Sequence, residues 1–366
     1  MSTYEIAVVH GDGIGPEVCQ SAIDILVAAM GNNSPLNFIE YPAGAAHFTK
    51  TGESVPDATK EGCRSAHAIL HGSAGIPGIS LADGTEAGID FGLGLRARLD
   101  LYANIRPIRL RPGIVSPLRA FEPGQIDYTI IRENSEGLYA SRGAGAVLRD
   151  DTAVDMMIMT RKGVERVCRT AFEVARKSEG APFDGKKRVT CCDKANVLRS
   201  LAFFRRIFTE IAAEYEDVET DYCYVDAITV HLIERPDRYN VIVAENLFAD
   251  ILSDLGAATV GGMGMTPTAE LGDEHGFFQA AHGSAPTIAG MNIANPIGTI
   301  LAGSMMLEWL GENHKDDYLL ETSRRIDAAV AMVLAKGAKT RDLGGNATTS
   351  DVTAAVIGAL RSGSVQ

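Results

Sequence analysis

The stretch YEIAVVHGDGIGPEVCQSAIDILVAAM (4–30) decides the fold class. YEIAVV (4–9) is a short apolar run rich in β-branched residues and reads as a strand. Three glycines in HGDGIGPE (10–17) then make a turn. PEVCQSAIDILVAAM (16–30) follows with apolar residues on a 3–4 spacing, Pro16 at its start and Gly31 just past its end, which is a helix signature. The alternation recurs outward from here. LNFIEY (36–41), AILHG (68–72), IDYTIIRE (126–133), KRVTCC (187–192) and NVIVAEN (240–246) read as strands. KGVERVCRTAFEVARKSEG (162–180), SLAFFRRIFTEIAAEY (200–215), NPIGTILAGSMMLEWLG (295–311) and ETSRRIDAAVAMVLAKG (321–337) read as helices. Such alternation predicts an α/β fold with a parallel or mixed central sheet flanked by helices. It is not a standard Rossmann unit: the GxGxxG fingerprint needs its third glycine where Pro16 stands, so Gly11, Gly13 and Gly15 read as a structural turn feeding a helix.

The chain has 366 residues, a length that suggests two domains. There is no low-complexity linker and no repeat, so a boundary falls inside ordered structure and a discontinuous domain is permitted. With 34 Lys plus Arg against 47 Asp plus Glu, the net charge of −13 argues against binding nucleic acid or acidic membranes, both of which need a basic face. No signal peptide or membrane-spanning run is apparent, and the six cysteines, at 19, 63, 168, 191, 192 and 223, show neither zinc-knuckle nor disulfide spacing. They read as reduced thiols packed as small hydrophobes, in a cytoplasmic protein.

Chemistry concentrates in acidic and basic residues set in apolar contexts. In NLFADILSDLGA (246–257), Asp250 and Asp254 are four apart on a helix, so both carboxylates leave one face and repel unless a cation joins them. Asp226 interrupts the apolar, strand-like run YCYVDAITVHL (222–232). Hard oxygen ligands without nearby Cys or His favour Mg²⁺ or Mn²⁺. Arg96, Arg106 and Arg132 lie in neighbouring segments, and guanidinium forks suit carboxylates, so the set describes a site for a small di- or tricarboxylate. Lys194 follows directly on a buried-looking strand, where desolvation and a metal would lower its pKa toward a usable base. Tyr139 sits in the Gly-flanked loop ENSEGLYASR (133–142). HGSAP (282–286) with ANP (294–296) is a turn-rich loop whose backbone N–H groups suit phosphates.

Together these motifs resemble the β-decarboxylating dehydrogenases, the family of isopropylmalate, isocitrate, homoisocitrate and tartrate/malate dehydrogenases. The resemblance runs from GDGIGPE (11–17) through LDLYANIRP (99–107), IRENSEGLY (131–139), DKANVL (193–198), YVDA (224–227), NLFADILSD (246–254), HGSAP and IANP (293–296) to RDLGG (341–345). It implies a discontinuous nucleotide-binding domain, residues 1–100 and 258–366, and an inserted dimerisation and substrate–metal domain, residues 101–257. It implies that Arg96, Arg106 and Arg132 hold the malate carboxylates, that Asp226, Asp250 and Asp254 hold Mg²⁺ or Mn²⁺, and that Tyr139 and Lys194 are acid and base. A hydroxyl deprotonated through Lys194 would release hydride from C2 to the nicotinamide, the β-keto acid would lose CO₂, and Tyr139 would protonate the enol carbon. In the family Lys194 and Asp226 come from the partner subunit, so the resemblance implies a homodimer with shared sites.

His282, Gly283, Ser284, Ala285, Pro286, Ile288 and Asn295 are the implied cofactor-binding residues. Many NAD-using members carry Asp where Thr287 stands, and NADP-using members tend to have a Lys–Tyr pair where this chain has Thr287–Ile288. Without a cation to meet a 2′-phosphate, NAD is favoured over NADP. Gln279 stands where many relatives have Glu. Substrate choice points to GIDFGLGL (88–95): Leu93 with Gly92 suggests a modest apolar pocket, and Asp90 would repel an extra carboxylate. That favours 3-isopropylmalate and a place in leucine synthesis, whereas IRENSEGLY is closer to the tartrate/malate and isocitrate branches. A non-catalytic sensing subunit of the same fold would be expected to lose an Asp ligand, Lys194 or Tyr139, and this chain keeps them all.

Overall fold

The computed structural model describes residues 3–31, 34–82 and 84–362. The first part of the chain forms β1 (Tyr4–Gly11), α1 (Gly15–Met30), β2 (Leu36–Glu40), α2 (Ala45–Thr51), α3 (Asp57–Ser65), β3 (Ala68–Ser73) and α4 (Ile89–Arg98). The middle carries β4 (Ala103–Arg109), β5 (Asp127–Glu133), the hairpin β6 (Ala146–Leu148) and β7 (Thr152–Val154), then α5 (Arg161–Lys177), β8 (Arg188–Asp193), α6 (Arg199–Ala212), β9 (Glu219–Tyr224), α7 (Val225–Glu234), β10 (Val241–Ala244) and α8 (Asn246–Thr259). The last part adds β11 (Pro267–Leu271), β12 (Gly276–Ala280), α9 (Ile297–His314), α10 (Asp317–Ala335) and α11 (Thr349–Arg361). The chain folds into two compact units. One comprises Met1–Asp100, Arg111–Ile114 and Gly261–Gln366, and the other Leu101–Leu110 and Val115–Val260.

In the unit that holds the chain's ends, the strands run in the order β2–β1–β3–β12–β11. The first three contacts are parallel, and β11 pairs antiparallel with β12. Every residue of β3 is buried, as expected for a parallel strand covered on both faces. Helix α1 turns Val18, Ala22, Ile25 and Leu26 inward and packs on α9 and α11. Val18, Ile25 and Leu26 each contribute about 1.5–3 kcal/mol when fully buried, and the Ala22 methyl about 0.8 kcal/mol. The glycine turn is set by close approach. A Cβ on Gly11 would sit 1.8 Å from the Ser73 carbonyl oxygen and one on Gly13 would sit 1.9 Å from that of Ser284, and both residues have positive φ. The turn thus holds β3 and the loop after β12 against its own backbone.

The other unit orders its strands β4–β5–β10–β8–β9, with β4 antiparallel to β5 and the remaining pairs parallel. Its core gathers Val164, Phe172, Phe204 and Phe208 from α5 and α6 over β8 and β10, with Phe172 stacked on both Phe208 and Tyr215. The β6–β7 hairpin lies outside this core, with Val147, Leu148 and Val154 exposed.

Several elements depart from the sequence pattern. YCYVDAITVHL is a strand only to Tyr224; α7 starts at Val225, because Ile228 and Leu232 recur at helical spacing and are buried while Val230 is exposed. Asp226 therefore lies in the first turn of a helix, not in an apolar strand. Helix α10 begins four residues before the stretch expected to hold it, since the Asp316 side chain accepts from the Tyr318 and Leu319 amides and caps it. NVIVAEN ends as a strand at Ala244, and its last residue, Asn246, opens α8. All six cysteines are buried free thiols. Among the described residues no helix is long and apolar enough to cross a membrane.

His71 on β3 is buried against Phe91 and Phe277, with Nδ1 2.8 Å from the Val9 carbonyl oxygen. Burial pushes its pKa down to about 4. The unfolded chain thus binds a proton near pH 6.5 that the folded chain refuses, and stability is lost as pH falls through that window. Replacement by His71→Asn, which retains an N–H donor for Val9, is expected to remove this term. In urea melts between pH 6.5 and 4 the parent should lose about 3 kcal/mol more than the variant. Parallel losses would exclude His71 as the source.

Candidate active site

The strongest constellation is built on α8. Glu245 caps this helix, accepting from the Phe248 and Leu247 amides at 2.8 and 3.1 Å, and burial pushes its carboxyl pKa up. Asn246, Asp250 and Asp254 then follow at four-residue spacing on one face. Opposite them, Asn104 of β4 is in register with Arg132 of β5, and Arg106 lies two residues on, on the same face. Arg132 donates from Nε and Nη2 to Asn246 Oδ1 at 3.0 and 2.7 Å, and from Nη1 to Asp250 Oδ1. Arg106 donates from Nη1 to the same Asp250 oxygen at 3.0 Å and to Ser253 Oγ, and from Nε to Asn104 Oδ1. Tyr139 donates its hydroxyl to Asp250 Oδ2 at 3.2 Å, and the Arg132 guanidinium lies 5.4 Å from the centre of its ring.

One carboxylate therefore faces two guanidinium groups that are only 2% and 6% exposed. Asp254 adds a second carboxylate with no hydrogen bond among the described residues. Partial desolvation raises its pKa and Asp250 raises it further, against Arg106 and Arg132. Oxygen donors of this kind, half-satisfied and one helical turn apart, fit a hard divalent cation. The loop carrying Tyr139 is anchored by Glu133, a buried carboxylate that accepts from the Ser135 amide and hydroxyl and from the Glu136 amide at 2.6–2.9 Å.

A second cluster lies elsewhere in the same unit. Lys194 donates to Asp226 and stands 5.9 Å from the Tyr224 ring centre. The loop is fixed by Asp193, fully buried, which takes both forks of Arg205 at 2.7 and 2.8 Å and the Ala195 amide at 2.8 Å. Asp226 is exposed rather than set in apolar surroundings, and the hydrogen bond from Lys194 lowers its pKa. Lys194 is thus oriented by an ion pair, a partner the sequence reading, which invoked desolvation and a metal, did not name. Among the described residues no three His, Cys, Asp or Glu side chains are assembled to hold a metal. Asp226 stays apart from Asp250 and Asp254 although α7 packs on α8.

The remaining candidates lie in the first unit. Arg96 forms a bidentate pair with Glu270 at 2.8 and 2.8 Å. Leu93 is half-buried, and a Cβ on Gly92 would meet nothing within 4 Å. Asp90 is tied to Ser54 Oγ and the Gly88 amide at 2.7 and 2.9 Å, so its side chain is engaged at the start of α4. In the loop after β12, Ala285 adopts a left-handed conformation ahead of the short turn Pro286–Ile288. Ser284 donates to the Gly75 carbonyl, and Ile288 packs on Ile14, Val18 and Ala294. Asn295 donates from Nδ2 to Asp342 Oδ2 and accepts the Ile297 amide at Oδ1, which leaves one N–H and one lone pair of its carboxamide unmatched among the described residues. Of this group His282 carries an orphan: its Nε2 is shielded and has no hydrogen-bond partner, a ready contact for a nucleotide in a loop of this shape. Asn246, Ser253, Asn104 and Glu133 were not singled out from the sequence. Asn246 had a usable signal, since it extends the Asp250–Asp254 spacing by one more turn.

The sequence matches the isocitrate/isopropylmalate dehydrogenase family model over residues 5–356. It is 40% identical over 359 residues to a 3-isopropylmalate/3-methylmalate dehydrogenase of Methanocaldococcus jannaschii, covering 98% of this chain and 99% of that protein. It is 41% identical over 360 residues to an isocitrate/homoisocitrate dehydrogenase of Thermus thermophilus, with the same coverage. The crystal structure of isocitrate dehydrogenase from Methylococcus capsulatus superposes with a TM-score of 0.85 at 35% identity, covering 98% of this chain and 100% of that one.

Because Asp250 is hydrogen-bonded to both buried guanidinium groups, Asp250→Asn is expected to destabilise the metal-free protein by about 2 kcal/mol, the cost of a broken buried pair discounted for the partial exposure of Asp250. Urea melts in EDTA measure it. An unchanged midpoint would mean that solvent already compensates the arginines.

Proposed function

The chain belongs to the isocitrate/isopropylmalate dehydrogenase family, and we propose that it oxidatively decarboxylates a 3-substituted malate, using NAD and Mg²⁺ or Mn²⁺, with 3-isopropylmalate as the substrate its own residues favour. The observation that carries the reading is Asp250, a carboxylate gripped by two buried arginines on one side and a tyrosine hydroxyl on the other. A substrate carboxylate suits the same N–H donors, and a cation suits the same aspartate. Relatives named for isopropylmalate and for isocitrate/homoisocitrate are almost equally similar, so substrate choice rests on Leu93 and the open space beside Gly92. Isocitrate or homoisocitrate is the second reading, and the tartrate/D-malate branch follows it.

Arg96, Arg106 and Arg132 would hold the substrate's carboxylates. When bound, the divalent ion supplies Lewis-acid polarisation and the nicotinamide takes up the hydride. Lys194, oriented by Asp226, would accept the C2 hydroxyl proton, and Tyr139 would deliver a proton to the enol carbon left by loss of CO₂. The cofactor's nucleotide would lie along the loop from His282 to Ile288 with Asn295, where Thr287 offers no cation for a 2′-phosphate.

The two clusters belong to one reaction if a second copy of the chain supplies the missing half. Exposed apolar side chains support this: Ile251, between Asp250 and Asp254 on α8, is 58% exposed, Val230 and Ile233 on α7 are open, and so is the β6–β7 hairpin. The direct test is turnover of 3-isopropylmalate, isocitrate, homoisocitrate, D-malate and tartrate with Mn²⁺ and NAD or NADP. A kcat/KM preference for 3-isopropylmalate with NAD, abolished by EDTA, is the expected result, and a preference for another of these acids would transfer the assignment to it. For the shared site, Lys194→Ala should cost at least about 100-fold in kcat, the usual worth of a positioned base. Asp250→Asn should likewise be inactive. Dissociating and re-mixing the two variants should restore about a quarter of parental activity, because each hybrid dimer regains one intact site. Mixtures as inactive as their components would refute sharing.

A further inference from the structure

We infer that Glu270 is a specificity-determining residue. By filling the fork of Arg96 it cancels the charge of one of the three substrate arginines and tunes the enzyme to a dicarboxylate with an uncharged 3-substituent, against a third carboxylate. The inference rests on the proposed function, since only there is Arg96 a substrate anchor.

The geometry is that of a completed grip. Nε and Nη2 of Arg96, the edge a carboxylate takes in bidentate recognition, donate to Oε2 and Oε1 of Glu270, each at 2.8 Å. The Glu270 side chain is 1% exposed and that of Arg96 is 11% exposed, so both charges lie largely out of water. On β12, Gln279 donates from Nε2 to Glu270 Oε1 at 3.1 Å. Glu270 is in register with Phe277, which puts Gln279 diagonally opposite on the same face of the hairpin. The amide at 279 thus supplies a third donor to the carboxylate, where an acid would repel it. The sequence alone marked Gln279 only as a departure from many relatives.

A buried pair of this kind does not open readily, because moving Arg96 away strands the Glu270 carboxylate in the interior. A substrate group approaching Arg96 therefore meets a neutral pair. An uncharged substituent loses nothing by that, whereas a further carboxylate must shed its water without finding a net cation. Asp90 was the sequence's candidate for this rejection, but its carboxylate is engaged by Ser54 and Gly88. Glu270 takes over the role from a position on a strand far along the chain.

The test is Glu270→Gln, which keeps the shape and removes the charge, with kcat/KM measured for isocitrate and for 3-isopropylmalate. The ratio is expected to shift toward isocitrate by about tenfold or more, mainly through KM, as the Arg96 charge is no longer cancelled and a third carboxylate finds a net cation. A merely structural role would lower both values in step, and an unchanged ratio in a variant that melts normally overturns the inference. If Glu270→Gln does not fold, the double variant Arg96→Gln/Glu270→Gln replaces it. Removing an already neutral pair should leave the ratio within about twofold of the parent. A fall of tenfold or more against isocitrate would show that Arg96 lends it charge after all, and would overturn the inference. Failure of the parent to turn over any of these acids would instead sink the proposed function.

Discussion

Asp250 is the constraint around which its unit is organised. Two guanidinium groups taken out of water need a counter-charge within hydrogen-bond distance, because desolvating an unpaired cation costs several kcal/mol. Arg132 and Arg106 meet that need through one carboxylate oxygen, and the other oxygen receives the Tyr139 hydroxyl. The antiparallel pairing of β4 with β5 puts both arginines on one face. The immediate start of α8 after β10 brings Asn246 and Asp250 to them. Asp254 stands one turn along the helix with no hydrogen bond among the described residues, so the carboxylates suit a divalent cation while the guanidinium groups suit anions.

The loops around the candidate site share a device, a buried acid that accepts backbone amides. Glu133 fixes the turn leading to Tyr139, Asp193 the turn carrying Lys194, and Glu245 the start of α8. In the other unit, Asp12 accepts the amides of Ala45, Ala46 and Gly75 at 2.8–2.9 Å and holds the glycine turn to the start of α2. Each carboxylate exchanges water for several charge-assisted bonds, which strengthens them and fixes the local geometry. The surface of α5, facing α6 and the turn after it, uses a weaker device. Arg161 with Glu210, and Arg169 with Glu214, are exposed pairs, and such pairs contribute little to stability.

Much of this was legible in the sequence because it depends on local pattern. Strand–helix alternation, Pro16 and Gly31 bracketing α1, and the four-residue spacing of Asp250 and Asp254 follow from chain geometry over a few residues. β4 was not legible as a strand, since Pro107 and two arginines interrupt its apolar pattern; it pairs with β5 nevertheless, its charged Arg106 facing buried partners. The hairpin β11–β12 was equally hidden in a Gly-rich stretch. Asp226 misled in the opposite direction, because the apolar run around it has both strand-like continuity and helical spacing, and only packing decides between them.

The sequence by itself determined the α/β class, the residue types of a site for a carboxylate and a metal, and the family, because periodicity, capping and motif order are properties of neighbouring residues. Only the tertiary structure decided who holds whom. It joined Asp250 to arginines more than 100 positions away, separated Asp226 and Lys194 into a cluster of their own, and closed Glu270 on Arg96. The physical reason is that a buried charge takes whichever opposite charge the fold brings within about 3 Å, and no local pattern in the chain encodes that distance.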